Sequence, residues 1–530
     1  MMMNNKMTAA LTTGSGAAAA RIEATTPEAA SDTGFFGHPR GLSTLFFTEL
    51  WERFSYYGMR AILILYMTAT AATGGLGFNV DKAGAIYGIY TAMVYMVSLP
   101  GGWIADKLLG QRQSVFYGGI VIMLGHICLA IHSMASFYFG LFLIVVGTGL
   151  LKPNISVMVG QLYSENDQRR DAGFSIYYMG INIGAFLSPL VCGWLAQGEG
   201  FRAMLSSWGM NPNNAWHWGF AAAAVGMFFG LVQYVLGKRA MGEAGLHPST
   251  SAAERPAMAR KLRNAIIIIA AVLGTLLALS LTGVASITAQ MLANAFGVVL
   301  TLTAVVFFMW LFMGAKWTPD ERKRLIVILL LFFGAAIFWS AFEQAGSSMN
   351  LFAERSTANT LFGFNFPASW FQSLNALFII ALAPVAAWLW VSLGSRNPSS
   401  PAKFGFGLVF LGLGFVVLVV GAQLSANGVR VSPMWLAVTY LLHTIGELCL
   451  SPVGLSAMTK LAPARVAGMM MGVWFLGSSV GNFMAGTLAR FYDKLPVPTI
   501  FSIVAATSII AGLVFWMLVK PIRRMMQRAH

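Results

Sequence analysis

Fourteen stretches of this chain are apolar for about 20 residues or more, the length that crosses the hydrocarbon core of a bilayer at about 1.5 Å per helical residue. They lie near 44–72, 83–107, 113–133, 136–163, 172–197, 216–237, 263–284, 286–314, 325–346, 369–393, 404–425, 434–459, 466–491 and 497–519. A chain built this way is an all-α integral membrane protein. Composition agrees: 57% of the 530 residues are hydrophobic and 10% are charged, against roughly 25% charged in soluble domains. The net charge of +15 would suggest nucleic acid in a soluble protein. Here the basic residues sit in short loops between apolar segments, so nucleic acid is excluded as a partner and the lipid bilayer takes its place. Cys128, Cys192 and Cys449 all fall in apolar runs. They have neither metal-ligand spacing nor a disulfide pattern, so no metal is expected.

Charge in the loops sets the orientation. With the N-terminus in the cytoplasm, 25 of the 34 Lys and Arg lie on the cytoplasmic side. Six lie opposite: Lys82, Arg202, Arg355, Arg430, Arg490 and Lys494. Arg53, Arg60 and Lys152 remain at membrane depth. This bias predicts an even number of spans with both termini inside. The seventh and eighth segments carry no ionisable residue and lie between two basic loops, so they read as an inserted hairpin. The expected organisation is a cytoplasmic tail (1–43, disordered and without a secretory signal), a six-helix bundle (44–238), a linker with the hairpin (239–320), a second six-helix bundle (321–520) and a short tail (521–530). Two six-span halves are the major facilitator architecture, in which substrate binds between the halves near the midplane.

Function is carried by ELWERFSYYGMR, residues 49–60. A charge at membrane depth costs at least a few kcal/mol unless paired or hydrated, and this one helix holds Glu49, Glu52, Arg53 and Arg60. With Tyr56 they fall within about 100° of helical arc, and Tyr57 borders the stripe. Glu49 and Arg53 are four apart and can pair. Such a stripe predicts a wet interior, hence a transporter. Lys152, Glu343 and Glu447 also lie deep, so four acids face three bases. Similar depth pairs Arg60 with Glu343 and Lys152 with Glu447, each pair joining the two halves. These four form the expected gating salt bridges, made and broken in alternating access. His443 stands one turn before Glu447 and titrates near neutrality when unperturbed, although packing is the plainer role for it.

Glu49-x-x-Glu52-Arg53-Phe-x-Tyr56-Tyr57-Gly58 resembles the first-span signature of the proton-dependent oligopeptide transporters. GGWIADKLLG (101–110) is similar to the loop motif between the second and third spans of major facilitators. FSIYYMGINIGAF (174–186), FWSAFEQ (338–344) and GELCLSPVG in the twelfth segment resemble further signatures of the peptide transporter family. The resemblance covers about residues 44–520, and the hairpin matches bacterial members. It implies proton-driven import of di- and tripeptides across the bacterial inner membrane by a monomer with no cofactor beyond the proton gradient. By the same resemblance, Arg53, Tyr56, Tyr57, Tyr95, Lys152 and Asn182 line one side of the pocket. Asn375, Glu447, Ser451 and Trp474 line the other, and Glu49, Glu52 and Glu343 are the proton-linked acids. One departure is that mammalian members carry a second-span histidine, whereas AGAIYGIYTAM (83–93) has none, which leaves the proton to carboxylates.

The chemistry suits a zwitterion. Arg53 and Lys152 fit a peptide carboxylate and Glu447 fits its amine. Asn182 and Asn375 offer donors and acceptors to the peptide backbone, and the aromatic residues accept varied side chains. A related symporter for nitrate or another small anion is the alternative within the class, and Glu447 weighs against it. A membrane enzyme or receptor is the alternative outside it, but no nucleophile–base or metal set is evident. Pro153, Pro189, Pro384 and Pro452 are expected kinks. The glycines of 468–486 are expected at close helix contacts, and Asp106 at a cytoplasmic gate.

Overall fold

The computed structural model describes residues 32–527 apart from 165, 252, 464–465 and 467–468, and the side chains of 281, 452, 453, 455, 456, 459, 460, 471 and 527. The expected tail 1–43 and kink at Pro452 therefore lie largely outside the described residues. Among the described residues, fourteen long helices follow one another. They are α1 (Arg40–Thr68), α2 (Val80–Met96), α3 (Gln111–Leu129), α4 (Met134–Gln161), α5 (Arg170–Gln197), α6 (Ala215–Leu236) and α7 (Arg255–Leu281). Then come α8 (Ala289–Met313), α9 (Pro319–Phe342), α10 (Ser373–Ser392), α11 (Ser400–Ser425), α12 (Met434–Leu461), α13 (Met470–Ala489) and α14 (Val497–Met517). By length and apolar composition, 12 of the described helices can cross a membrane, α7 and α8 among them. α1 and α13 fall outside that set: α1 carries four charges in its middle, and α13 is rich in Gly and Ser.

Local signals set several ends. The Asn79 side chain caps α2 by accepting from the Lys82 amide at 2.8 Å. α2 runs on through Ser98–Ile104 and a π-turn, Ala105–Leu109, which stops at Gly110 with φ +81°. α9 opens with a full capping box between Thr318 and Glu321. It ends in a 3-10 turn, Glu343–Gly346, an interruption the apolar pattern does not reveal. α4, α5 and α10 continue through Pro153, Pro189 and Pro384.

Small residues let helices approach closely. α3 meets α4 where Gly118 faces the Gly147 carbonyl and Gly125 faces the Gly140 carbonyl. In the 468–486 run, Gly481 packs on Trp339 and Gly486 on the backbone of Gly88, so these glycines do serve close contacts. α1 lies at the centre, packed on α5 and α6 and buried almost all round, its four mid-helix charges included. α7 is the opposite case. No described side chain in its apolar stretch is buried, and Ile266 to Ile269 are each more than half exposed. Apolar surface of this extent does not face water. The chain is a multi-pass membrane protein.

We call the face where α1 begins the inner face and the opposite one the outer face. On the outer face the two halves touch at many points. The Asn350 amide donates to the Ala61 carbonyl at 2.8 Å. The Trp370 indole donates to Leu190 at 3.1 Å, and the Ser373 hydroxyl to Phe186 at 2.8 Å. On the inner face a cavity of about 1560 Å³ separates α5 from α10. Asp106 lies on that face. Its carboxylate accepts from Gln111 at 2.9 Å and its carbonyl from Ser249, which ties the π-turn to the segment before α7.

Candidate functional site

At the centre, between the halves, lies a cavity of about 280 Å³. It shares Tyr178, Asn182 and Ile379 with the large inner cavity, so the two are contiguous. Arg53, Tyr57, Tyr95, Lys152 and Asn182 line it from α1, α2, α4 and α5. Asn375, Glu447, Ser451 and Trp474 line it from α10, α12 and α13, with Glu49, Arg60 and Glu343 completing the charged set. Glu52 and Tyr56 are buried on α1 but are not among the lining residues.

The acids and bases fall into clusters. In the first, Arg53 donates from Nε to Glu49 Oε1 at 2.8 Å. Glu52 Oε2 lies 2.5 Å from the same nitrogen, without the alignment of a hydrogen bond. One guanidinium therefore serves two carboxylates, all three nearly water-free. The guanidinium also sits 5.7 Å over the Tyr56 ring, which accounts for Tyr56 as a wall behind the arginine. In the second cluster Arg60 Nη2 meets Glu343 Oε2 at 2.5 Å, while Arg60 Nε donates to the Tyr87 hydroxyl at 2.9 Å. This pair joins α1 to the 3-10 turn after α9 and so crosses between the halves.

Lys152 and Glu447 do not pair with each other in this structure. The ammonium of Lys152 lies 3.8 Å over the Tyr95 ring. Glu447 accepts from Asn375 Nδ2 at 2.9 Å, and the same amide donates to Thr444 at 3.1 Å. The physical reason is the open inner cavity: with the halves apart on that side, each group takes a partner from its own half. Asn182 donates back to the Tyr178 carbonyl at 2.9 Å. His443 lines the cavity wedged between Phe342 and Phe415, with Nε2 unpartnered among the described residues.

Several lining residues escape the sequence reading: Tyr178, Gln372, Tyr440, Phe475 and Ser478. Tyr178 had a signal, since it stands four before Asn182 and shares its helical face. The others sit among similar residues with nothing local to mark them. Among the described residues, no group of three or more His, Cys, Asp or Glu is placed to hold a metal ion.

A multi-pass helical protein closed on one face, open on the other, and charged at the seam between two sets of helices defines a membrane transporter with a major-facilitator-like fold. Comparison with known proteins agrees. The family model PTR2, described as the POT family, matches residues 112–508. The chain is 44% identical over 512 residues to the peptide transporter YePEPT of Yersinia enterocolitica, covering 94% of this chain and 97% of that one. It is 40% identical over 505 residues to a di-/tripeptide transporter of Lactococcus lactis, covering 93% and 97%. Among solved structures, a peptide transporter POT in complex with sulfate superposes with a TM-score of 0.85 at 43% identity, covering 94% and 98%. The chain belongs to the POT family, a family of peptide transporters and not of enzymes.

Proposed function

We propose that this protein is a proton-coupled symporter that imports di- and tripeptides by alternating access. The observation that carries the reading is the central cavity, where Arg53 and Lys152 approach from one half and Glu447 from the other. A zwitterion spans such a gap with its carboxylate on the bases and its amine on the acid. The volume of about 280 Å³ lies just below the usual range of small-molecule sites, about 300–1,000 Å³, and suits a short peptide better than a long one. The names of the Yersinia and Lactococcus relatives support the substrate class.

Charge balance supports the proton. Glu49, Glu52, Glu343 and Glu447 face Arg53, Arg60 and Lys152, an excess of one acid in a set of which all but Lys152 are buried. Buried uncompensated charge is costly, so the resting site favours one protonated carboxyl. When the substrate carboxylate takes Arg53, it competes with Glu49 and Glu52 for one guanidinium and releases an acid to bind a proton. The gradient is then the driving force, with no bound cofactor. In this reading the inner face is cytoplasmic, both termini lie inside, all fourteen long helices cross the bacterial inner membrane, and the monomer is the working unit. Arg60–Glu343 closes the outer face, and Lys152–Glu447 pairs when the inner face closes.

The test is uptake of labelled dialanine into vesicles under an imposed pH gradient, with and without a protonophore, against a dipeptide blocked at both ends. Accumulation that the protonophore abolishes and the blocked peptide does not compete for is expected. Equal competition by the blocked peptide would remove the zwitterion argument. For Glu52→Gln, lost accumulation with retained counterflow is expected.

A further inference from the structure

One polar contact of α8, the second helix of the inserted pair, falls on a guanidinium of the outer face. On the outer face Arg490, just past the end of α13, meets Asp81 at the start of α2 with Nε to Oδ1 at 2.7 Å. Lys494 takes the other oxygen of Asp81 at 2.7 Å. These bonds tie the two halves. Arg490 Nη1 donates in addition to Asn294 Oδ1 on α8 at 2.9 Å. Asn294 thus occupies the guanidinium edge that Asp81 leaves free.

Packing fixes the three helices in this arrangement. Gly486 of α13 lies against the backbone of Gly88 on α2, where a Cβ would have no room, and Gly84 lies beneath the Arg490 stem, where a Cβ would be tight. On α8, Phe296 stacks edge-on to Phe483 of α13 at 5.5 Å, and Gly297 faces the same ring. Ala293 and Leu300 are the buried positions of this stretch of α8, one turn either side of those contacts. α8 therefore seats along the seam between α2 and α13. That seam must part at its outer end if the central cavity is to open outward.

We infer that Asn294 is a positioning residue of the outer gate: it holds the Arg490 guanidinium in the plane that pairs with Asp81, so that the inserted helix biases the transporter toward its outward-closed state. This deepens the transport reading above. It assigns α8 a part in the conformational cycle rather than in substrate contact, since no residue of α8 lines the central cavity. Arginine's fixed fork is suited to this, because one donor edge can be oriented by an amide while another binds a carboxylate.

The experiment is a distance measurement between spin labels on the outer face of the purified full chain, at Ala72→Cys and Ala426→Cys, with Cys128 replaced by Ala and the two buried cysteines retained. Neither peptide nor a proton gradient is needed, so failed dialanine uptake would count against the transport reading and leave this one standing. Asn294→Ala is expected to raise the ratio of long to short distances about fivefold, the shift set by a hydrogen bond worth about 1 kcal/mol. Asn294→Asp keeps an acceptor on the guanidinium and is expected to restore the short distance. Asp81→Asn, which removes the charge itself, should open the gate at least as far as Asn294→Ala. An unchanged distribution in Asn294→Ala beside an opened Asp81→Asn would overturn the inference. So would an Asn294→Asp variant that opens as far as Asn294→Ala.

Discussion

Replacing Glu343 by Gln should unlock the outer face. Both members of the Arg60–Glu343 pair are more than nine-tenths buried, with side chains 7% and 4% exposed. Removing one partner of such a pair costs about 3–5 kcal/mol, because the other charge stays desolvated. At 1.4 kcal/mol per tenfold, the outward-closed state should lose a factor of roughly 10² or more against any state in which Arg60 reaches water. Tyr87 softens the loss only slightly, since its hydroxyl is a neutral partner for Arg60 Nε. Arg60→Gln should cost a similar amount by stranding Glu343, whereas the double variant strands nothing and should recover most of the loss. The assay is thermal unfolding of the purified protein, run with dialanine counterflow, on both single variants, the double variant and the charge swap Arg60→Glu with Glu343→Arg. Singles that melt well below the parent, with a double that returns most of the way, are expected. If the double variant falls by the sum of the singles, or the swap restores no more transport than either single change, the pair is not coupled and the gate must be sought elsewhere.

Tyr95→Phe should keep the aromatic face under Lys152 and leave the KM for dialanine near the parent's, while Tyr95→Ala forfeits about 0.5–2 kcal/mol of cation–π attraction and should raise it by up to about 30-fold. Glu447→Gln should weaken competition by free dialanine at least tenfold, with little change for a peptide acetylated at its amine, as read by inhibition of labelled uptake. Asp167 lies in the inner loop outside the spans, and its hydrogen bonds from Arg169 hold the carboxyl below its usual value. A depressed carboxyl stabilises above its unfolded value near pH 3.9 and loses that contribution as the pH falls further. Arg169 also donates to the carbonyls of Asp32 and Gly37, so Asp167→Asn should speed hydrogen exchange across residues 34–38 at pH 7, and the parent should reproduce this loosening only in strong acid.

The long helices were legible because apolar runs are local: each lies on one of the expected segments, with several ends shifted by six to eleven residues, and twelve are long and apolar enough to cross a membrane. The stripe on α1 was legible only in part. Helical geometry placed Glu49, Glu52, Arg53, Tyr56 and Arg60 on one arc, but the cavity is lined by Glu49, Arg53, Tyr57 and Arg60, an arc turned by about 40°. Which flank of a polar stripe meets the cavity is decided by α5 and α6, which pack on the other sides of α1, and no spacing within α1 encodes that. The partners of Lys152 were hidden for a different reason. Depth along a span names the groups that can meet across the seam, but the open inner cavity decides whether they do, and here Tyr95 holds the ammonium. The 3-10 turn at Glu343 was hidden because the expected ninth segment stays apolar up to Phe342 and its end could not be read to within one turn.

α7 touches little else in the molecule, and none of its described side chains in the apolar stretch is buried. Its sequence is therefore answerable to the acyl chains around it and to almost nothing else. Ile266 through Ile269 could be permuted with Leu or Val in any order, and hydrocarbon would register no difference. Length is what that helix must keep: of its 27 residues, the uncharged run after Arg263 is the part that must match a hydrocarbon core of about 30 Å, and drift in the identity of that run is drift without a witness.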